Sequence, residues 1–399
     1  MKNLLYFVFG NKRLLNFGFL FNFFSSFGQT FFISLFVPFW TELFGLTNTS
    51  FGGIYTSVTL LSAFMLSVFG RFIDRISLKR FGLIVSCALV SAVAILSRVS
   101  TLYTFIPALF LVRWLGQGLM THTSETGIAR HFSFNRGKAL SITTLGHPAA
   151  QFVLPVIAVP LLQHVGWRST LLFMSVSAVF FVLPSVMLMK NEPVSKHKSF
   201  SSKTQKSSDG KRLLFSPEFW LIAVNTVIIP FFSTALFLYQ YVIGELYGWD
   251  AQRIAYSFVF YSTFGALTMP LSGYFIDKFS AVKLFPIYLI PLLFSVALLA
   301  VTSTDTLLPV VYALLGITTG FRNTMKTALI TEVYGVSRLG KIRSYFSTLM
   351  VFSTALGPPL LGFFLDRDMS FQLVAGGFFI VLLGVIGASF GLWRGRAVG

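Results

Sequence analysis

Two stretches of the 399-residue chain carry one pattern, GRFIDRISLKR at 70–80 and GYFIDKFSAVK at 273–283. They stand 203 positions apart, so Gly70, Asp74, Arg75, Ser77 and Arg80 correspond to Gly273, Asp277, Lys278, Ser280 and Lys283. The same offset carries Asn22 onto Asn225 and Glu42-Leu43-Phe44-Gly45 onto Glu245-Leu246-Tyr247-Gly248. It also carries Gly137-Lys138 onto Gly340-Lys341, Ser141 onto Ser344 and Pro155 onto Pro358. One constant offset held across separate regions marks a duplicated unit. Between the copies, residues 190–216 are polar, rich in Ser and Lys and unpatterned, which predicts a cytoplasmic linker. The predicted organisation is an N-terminal bundle at 1–189, the linker at 190–216 and a C-terminal bundle at 217–399.

The composition says what each unit is made of. Hydrophobic residues make up 55% of the chain and charged residues only 11%, against about 25% charged in a soluble domain. The apolar surplus recurs in runs of roughly 20 residues, long enough as helices to cross ~30 Å of hydrocarbon. A soluble enzyme, a secreted disulfide scaffold and a disordered chain are excluded. The predicted fold is an all-α integral membrane protein with twelve transmembrane helices, six in each unit, related by pseudo-two-fold symmetry. The spans fall near 14–40, 51–70, 81–98, 102–130, 137–163, 168–189, 217–243, 252–273, 282–301, 307–334, 340–365 and 371–393. The opening MKNLLYFVFGNKRLLNF has no small-residue cleavage site and is expected to stay in the mature chain. The lone Cys87 cannot form an intrachain disulfide, and its apolar surroundings predict a buried thiol.

The net charge of +18 is explained by topology. Lys and Arg number 3 in residues 1–13, 4 in 71–80, 3 in 130–138 and 7 in 190–212, with more at 278–283, 338–343 and near the C-terminus. The opposite ends of the spans hold only Arg98, Arg168, Arg253 and Arg367. By the positive-inside rule both termini are cytoplasmic, in a multi-pass protein of the plasma or inner membrane. The excess charge then faces anionic lipid, and nucleic acid is not an expected partner.

With the repeat, the spans and the doubled loop in view, the chain resembles the major facilitator superfamily of secondary transporters over essentially its full length. That family's loop after the second span runs Gly-x-x-x-Asp-Arg/Lys-x-Gly-x-Arg/Lys-Arg/Lys, and here Ser77 replaces its second glycine. The resemblance implies a conformational latch at the cytoplasmic face. Its members here would be Gly70, Asp74, Arg75, Arg80 and Arg130 in the first half and Gly273, Asp277, Lys278 and Glu332 in the second. The plain alternative is that these are turn and positive-inside residues.

Charges within spans are costly, at least ~2.5–3.5 kcal/mol for Arg or Lys near the bilayer centre, and are functional candidates by default. Spans 3, 6, 9 and 12 have none in their interiors, which predicts that they face lipid while the others line a water-filled cavity. Span 4 holds Arg113, His122 and Glu125, span 5 holds His147, and span 10 holds Arg322 and Lys326. Arg322 and Lys326 are four apart, so they share a helix face and repel unless a carboxylate or a bound anion lies between them. With Arg113 they outnumber Glu125, which predicts an anionic substrate. Arg113 begins an Arg-x-x-Gly-x-Gly motif similar to one in the family, so a buried ion-pair role is open beside the ligand role. His122, Glu125 and His147 are the proton-coupling candidates, the histidines being equally readable as hydrogen-bonded core residues. Gln29 in span 1 and the Tyr239-Gln240-Tyr241 cluster in span 7 are uncharged substrate candidates, the cluster also reading as an aromatic belt.

A finer resemblance lies in ARHFSFNRGKALSI at 129–142, similar to a segment of the monocarboxylate porters and oxalate/formate exchangers. Gly166-Trp167-Arg168 and Gly357-Pro358-Pro359 also match that group. Those carriers resemble one another in a substrate arginine midway along span 8, whereas residues 256–273 contain none. If the chain moves an organic anion, Arg322, Lys326 and Arg113 must bind it instead. The expected function is proton-coupled symport of a small monocarboxylate by a monomer, working by alternating access with no cofactor or metal. The alternative, proton-driven efflux of drugs or other amphiphiles, predicts a Gly-rich span 5 that residues 145–161 lack. A membrane enzyme is not expected, because no carboxylate pair or metal-ligand cluster forms. Gly335–Lys341 spells the start of a phosphate loop, but Ile342 follows it and no strand precedes it.

Overall fold

The chain separates into two units, Met1–Lys196 and His197–Gly399, the division falling within the predicted linker. A computed structural model describes residues 2–132, 135–189, 216–335 and 339–397, so residues 190–215 of that linker and residues 336–338 within Gly335–Lys341 lie outside the described residues. Among the described residues there is no strand. After a short helix Lys2–Gly10, the N-terminal unit runs as α1 (Lys12–Gly28 and Thr30–Phe44, bent by 50°), α2 (Asn48–Asp74), α3 (Leu78–Leu96) and α4 (Leu102–His131). A further stretch, Arg136–Met187, turns at Gly166, whose φ of 74° only glycine adopts freely, into α5 (136–165) and α6 (167–187). The C-terminal unit runs α7 (Pro217–Tyr247), α8 (Ala251–Phe279), α9 (Ile290–Val301), α10 (Leu308–Tyr334), α11 (Leu339–Leu365) and α12 (Phe371–Ala397).

Eight described helices are long and apolar enough to cross a membrane, or nine when the two parts of α1 count as one. The three remaining predicted spans differ for identifiable reasons. Helices α5 and α6 form one of those stretches between them, α9 is only 12 residues long, and α10 is long but too polar. Buried share separates core from periphery within the C-terminal unit, where α7 is 67% buried along its most apolar window and α12 only 22%.

Local chemistry repeats with the sequence. Gly45 and Gly248 each end a helix in the left-handed conformation, at φ 59° and 67°. Asn22 donates to Gly18 O, Ser124 Oγ and Thr143 O, tying α1 to α4 and α5, while Asn225 donates to Ser389 Oγ and ties α7 to α12. Trp40, fully buried, stacks on Phe36 at 5.5 Å and meets the tilted ring of Phe105 at 5.1 Å, anchoring the N-terminal core. Cys87 departs from expectation, since it is exposed on α3. On a helix with one face to lipid, apolar neighbours do not imply burial.

The serine that replaces the loop glycine is an N-cap. Ser77 accepts from Arg80 N at 3.4 Å and Ser280 from Lys283 N at 3.4 Å. Their backbones differ, with Ser77 at φ −62° and Ser280 at φ 73°, ψ 152°, a region that costs a non-glycine residue about 1–3 kcal/mol. Glycine is only a few tenths of a kcal/mol worse than serine as a cap. Ser280→Gly is therefore expected to raise the thermal unfolding midpoint of the purified protein and Ser77→Gly to lower it slightly. A fall in both would show that Ser280 is unstrained.

Candidate functional site

The N-terminal unit builds its polar station at a break in α1. Ser25–Gly28 tightens into a 3₁₀ turn and Gln29 is extended at φ −86°, ψ 153° before the helix resumes at Thr30. Small residues make the break possible. A Cβ on Gly28 would lie 2.6 Å from both Gln117 N and Val112 O, and one on Gly116 2.8 Å from Gly28 N. At this crossing α4 widens into a π-helical segment, Trp114–Met120, a form that concentrates at functional sites. Breaking a helix leaves a carbonyl without its partner, and here Arg113 supplies one. Its Nη1 donates to Gly28 O at 3.0 Å and to Tyr55 Oη at 2.6 Å, with the guanidinium 4.4 Å over the Tyr55 ring. Tyr55 Oη also shares a hydrogen bond with Thr30 Oγ1, 2.6 Å away. Arg113 and Tyr55 thus clamp both sides of the break.

Arg113 is 2% exposed and its Nη1 bonds go to protein acceptors, so it holds α1 rather than standing open to a substrate. Gln29, between the clamped residues, remains partly exposed. His147 on α5 lies 3.5 Å from Ser26 Oγ and 3.4 Å from Gln151 Nε2. An amide nitrogen only donates, which makes His147 Nε2 the acceptor and leaves its proton on Nδ1, facing Ser26. His122 belongs elsewhere. Its Nε2 is 3.1 Å from Gly70 O, so Nε2 carries the proton, and Nδ1 is 3.4 Å from Thr126 Oγ1. That bond fastens α4 to the last turn of α2. Glu125 is exposed rather than enclosed.

Beside His122, Arg130 forms an ion pair with Asp74 and donates to Ile73 O at 3.3 Å. Arg75 lies 5.5 Å from the Phe72 ring, and Arg80 contributes its backbone N–H to the Ser77 cap. The repeat does not reproduce this arrangement. The counterpart of Arg130 is Val333, and Asp277 has no ion pair among the described residues. Glu332 instead accepts from Ala281 N at 2.9 Å, while Lys278 lies 5.3 Å from the Phe279 ring. Gly273 has open space where a Cβ would go. The residues around the doubled motif are therefore arranged differently in each half.

In the C-terminal unit α8 and α10 cross at glycines. A Cβ on Gly316 would collide with Tyr261 O, and one on Gly320 would lie 2.6 Å from Gly265 O. Six residues beyond Gly316, Arg322 donates from Nη1 to Met350 Sδ at 3.3 Å and from Nη2 to Asn323 Oδ1 at 3.2 Å. Its Nε, like that of Arg113, is buried without a partner among the described residues. Tyr261 and Tyr288 stand within electrostatic range of the guanidinium. Lys326 is half-buried one turn on, within range of Arg322 and Arg343, and neither Arg322 nor Lys326 has a carboxylate partner among the described residues. Tyr239, Gln240 and Tyr241 are buried inside the unit, which removes the aromatic-belt reading. Gln240 Oε1 accepts from Tyr312 Oη, and Tyr241 Oη has no partner among the described residues. Among those residues no three His, Cys, Asp or Glu gather as a metal site.

Sequence reasoning passed over Tyr55, Thr30 and Met350. The Ser25-Ser26-Phe27-Gly28 run was a usable signal for the break, since Gly and Ser pairs recur at helix kinks. Nothing in the sequence marked Met350.

The sequence profile of the Major Facilitator Superfamily matches residues 18–264 and 231–397. Among solved structures, a variant of the nucleoside transporter NupG is similar at 14% identity and a TM-score of 0.77, over 96% of this chain and 99% of that one. A bacterial homologue of the human lysosomal transporter Spinster, in an inward-facing and occupied conformation, is similar at 12% identity and a TM-score of 0.75, over 97% of both chains. At such identities the likeness is one of fold. No curated protein sequence matches the chain.

Proposed function

The chain belongs to the Major Facilitator Superfamily and is a secondary transporter, and on that premise we propose that its substrate is a small organic anion, a monocarboxylate, anchored by Arg322. The observation that carries this reading is the company Arg322 keeps. A guanidinium within a membrane helix has a methionine sulfur and an asparagine oxygen for acceptors and no carboxylate among the described residues. Thioether sulfur is a weak acceptor, and the cost of placing the charge there, at least ~2.5 kcal/mol, stays largely uncompensated until an anion arrives. Lys326, one turn along the same helix, adds the second positive charge. Within the N-terminal unit His147 is the proton carrier that couples uptake to the proton gradient. The carrier acts as a monomer by alternating access of its two repeat halves in the cytoplasmic membrane, with both termini inside. Asp74, Arg130 and His122 fasten α2 to α4 in one of the two states.

Thermal unfolding of the purified carrier in detergent, against a panel of small carboxylates, lipophilic amines and neutral solutes, tests the reading. A ligand that binds only the folded state raises the midpoint, by about 2.7 kcal/mol of stabilisation at a hundredfold excess over Kd. Carboxylates should stabilise the parent and leave Arg322→Gln unchanged. Stabilisation by lipophilic cations alone would replace the reading with efflux of amphiphiles.

A further inference from the structure

A groove of about 480 Å³ opens in the N-terminal unit where α3, α4 and α6 come together, lined by Ile95, Arg98, Val99, Thr104 and Leu172 among others. Its walls are apolar and open outward, with Ile95 and Leu172 both exposed. It lies at the ends of helices, since α3 stops at Leu96 and α4 starts at Leu102. The aromatic residues beside it suit the boundary between hydrocarbon and water: Tyr103 is 90% exposed, and Trp167 stands at the start of α6.

Two arginines frame this end of the groove. Arg168 is held in place, its Nη2 donating to the carbonyl of the lining residue Val99 at 3.0 Å and its guanidinium 4.5 Å from the Trp167 ring. Arg98 lines the groove itself, and its side chain meets no acceptor among the described residues. The segments 94–104 and 164–172 contain no Asp or Glu. Arg253 in the other unit shows the contrast, because it is paired with Asp305 at 2.9 Å. An apolar channel beginning at the interface, under two cations without a carboxylate, matches an amphiphile with a negative head.

We propose that this groove is a binding site for an anionic phospholipid, the phosphate resting between Arg98 and Arg168 and one acyl chain lying along Ile95 and Leu172. The site is independent of the transport substrate, since none of its residues belongs to the polar stations described above. Two arginines facing one anionic headgroup give an expected preference of about tenfold or more over a zwitterionic lipid.

The full chain, delipidated in detergent, is titrated with phosphatidylglycerol or phosphatidylcholine, reading retained lipid by native mass spectrometry and the thermal midpoint in parallel. The parent should retain phosphatidylglycerol about tenfold better than phosphatidylcholine. Arg98→Gln should reduce that preference, and Arg98→Gln with Arg168→Gln should remove it. Arg98→Gln should melt like the parent without lipid, because its side chain meets no acceptor among the described residues, which keeps the test valid if loss of Arg168 weakens the fold. Equal retention of both lipids by the parent, an undiminished preference in the double variant, or equal stabilisation by glycerol 3-phosphate, which has no acyl chain, would each overturn the site.

Discussion

Uptake of a carboxylate by Lys326→Gln should fall about a hundredfold while the yield and melting temperature of the variant stay at parental values. The two halves of that expectation come from the same observation. Lys326 has no carboxylate partner among the described residues and stands one turn from Arg322. Were it half of a buried ion pair, its removal would leave a bare charge behind and cost about 3–5 kcal/mol. Here removal relieves repulsion between like charges, so the fold has nothing to lose. The substrate does lose a charge-assisted hydrogen bond worth about 1.5–3 kcal/mol, which is tenfold to somewhat over a hundredfold in affinity. Full uptake by the variant would refute the assignment of the anion to α10. A folded Arg322→Gln that still responds to carboxylates in the melting assay would refute the anchor.

The second large effect is on the fold. Gly316→Val should leave little folded carrier, and Gly316→Ala should cost about 3 kcal/mol or more, beyond the usual range for an overpacked site. The reason is that the new Cβ would meet the backbone of Tyr261, with Gly265 N at 3.1 Å behind it. Backbone cannot step aside as a flexible side chain can, so α8 and α10 would have to part. Gly53 on α2 is the control, since nothing lies within 4 Å of its Cβ position. Gly53→Ala should be neutral, or stabilising by up to about 1 kcal/mol. Size-exclusion profiles and thermal melts of the purified variants read both. Parental melting of Gly316→Ala would mean that the helices do not cross so closely.

Much of the architecture could be read in advance because duplication and hydrophobic thickness leave strong marks in a sequence. Gly45 and Gly248 sit at equivalent helix ends with the same left-handed backbone, as their shared offset implied. The site was less legible. Arg113 and Arg322 look alike in sequence, each an arginine inside a predicted span, yet one is sealed against Gly28 O and Tyr55 while the other meets a methionine and an asparagine. What separates them is the neighbour on another helix, which periodicity along a single span does not encode. The doubled Asp74 and Asp277 motif promised symmetry, but its partner residue lies over fifty positions away, where Arg130 is matched by Val333. Cys87 was misjudged for a related reason, since in a membrane protein apolar sequence describes the lipid face as well as the core.

The clamp on α1 also bears on how the chain is made. When residues 12–44 first enter the bilayer, the helices that carry Tyr55 and Arg113 are not yet packed beside them, and a carbonyl freed at Gly28 would face hydrocarbon with no donor. Backbone polar groups in lipid must be satisfied internally, so the first helix has to be inserted straight. Its 50° bend is expected to form only after the fourth has been threaded in and Arg113 can take over the carbonyl. On this expectation a ribosome-tethered chain ending before α4 should carry an unbent first helix.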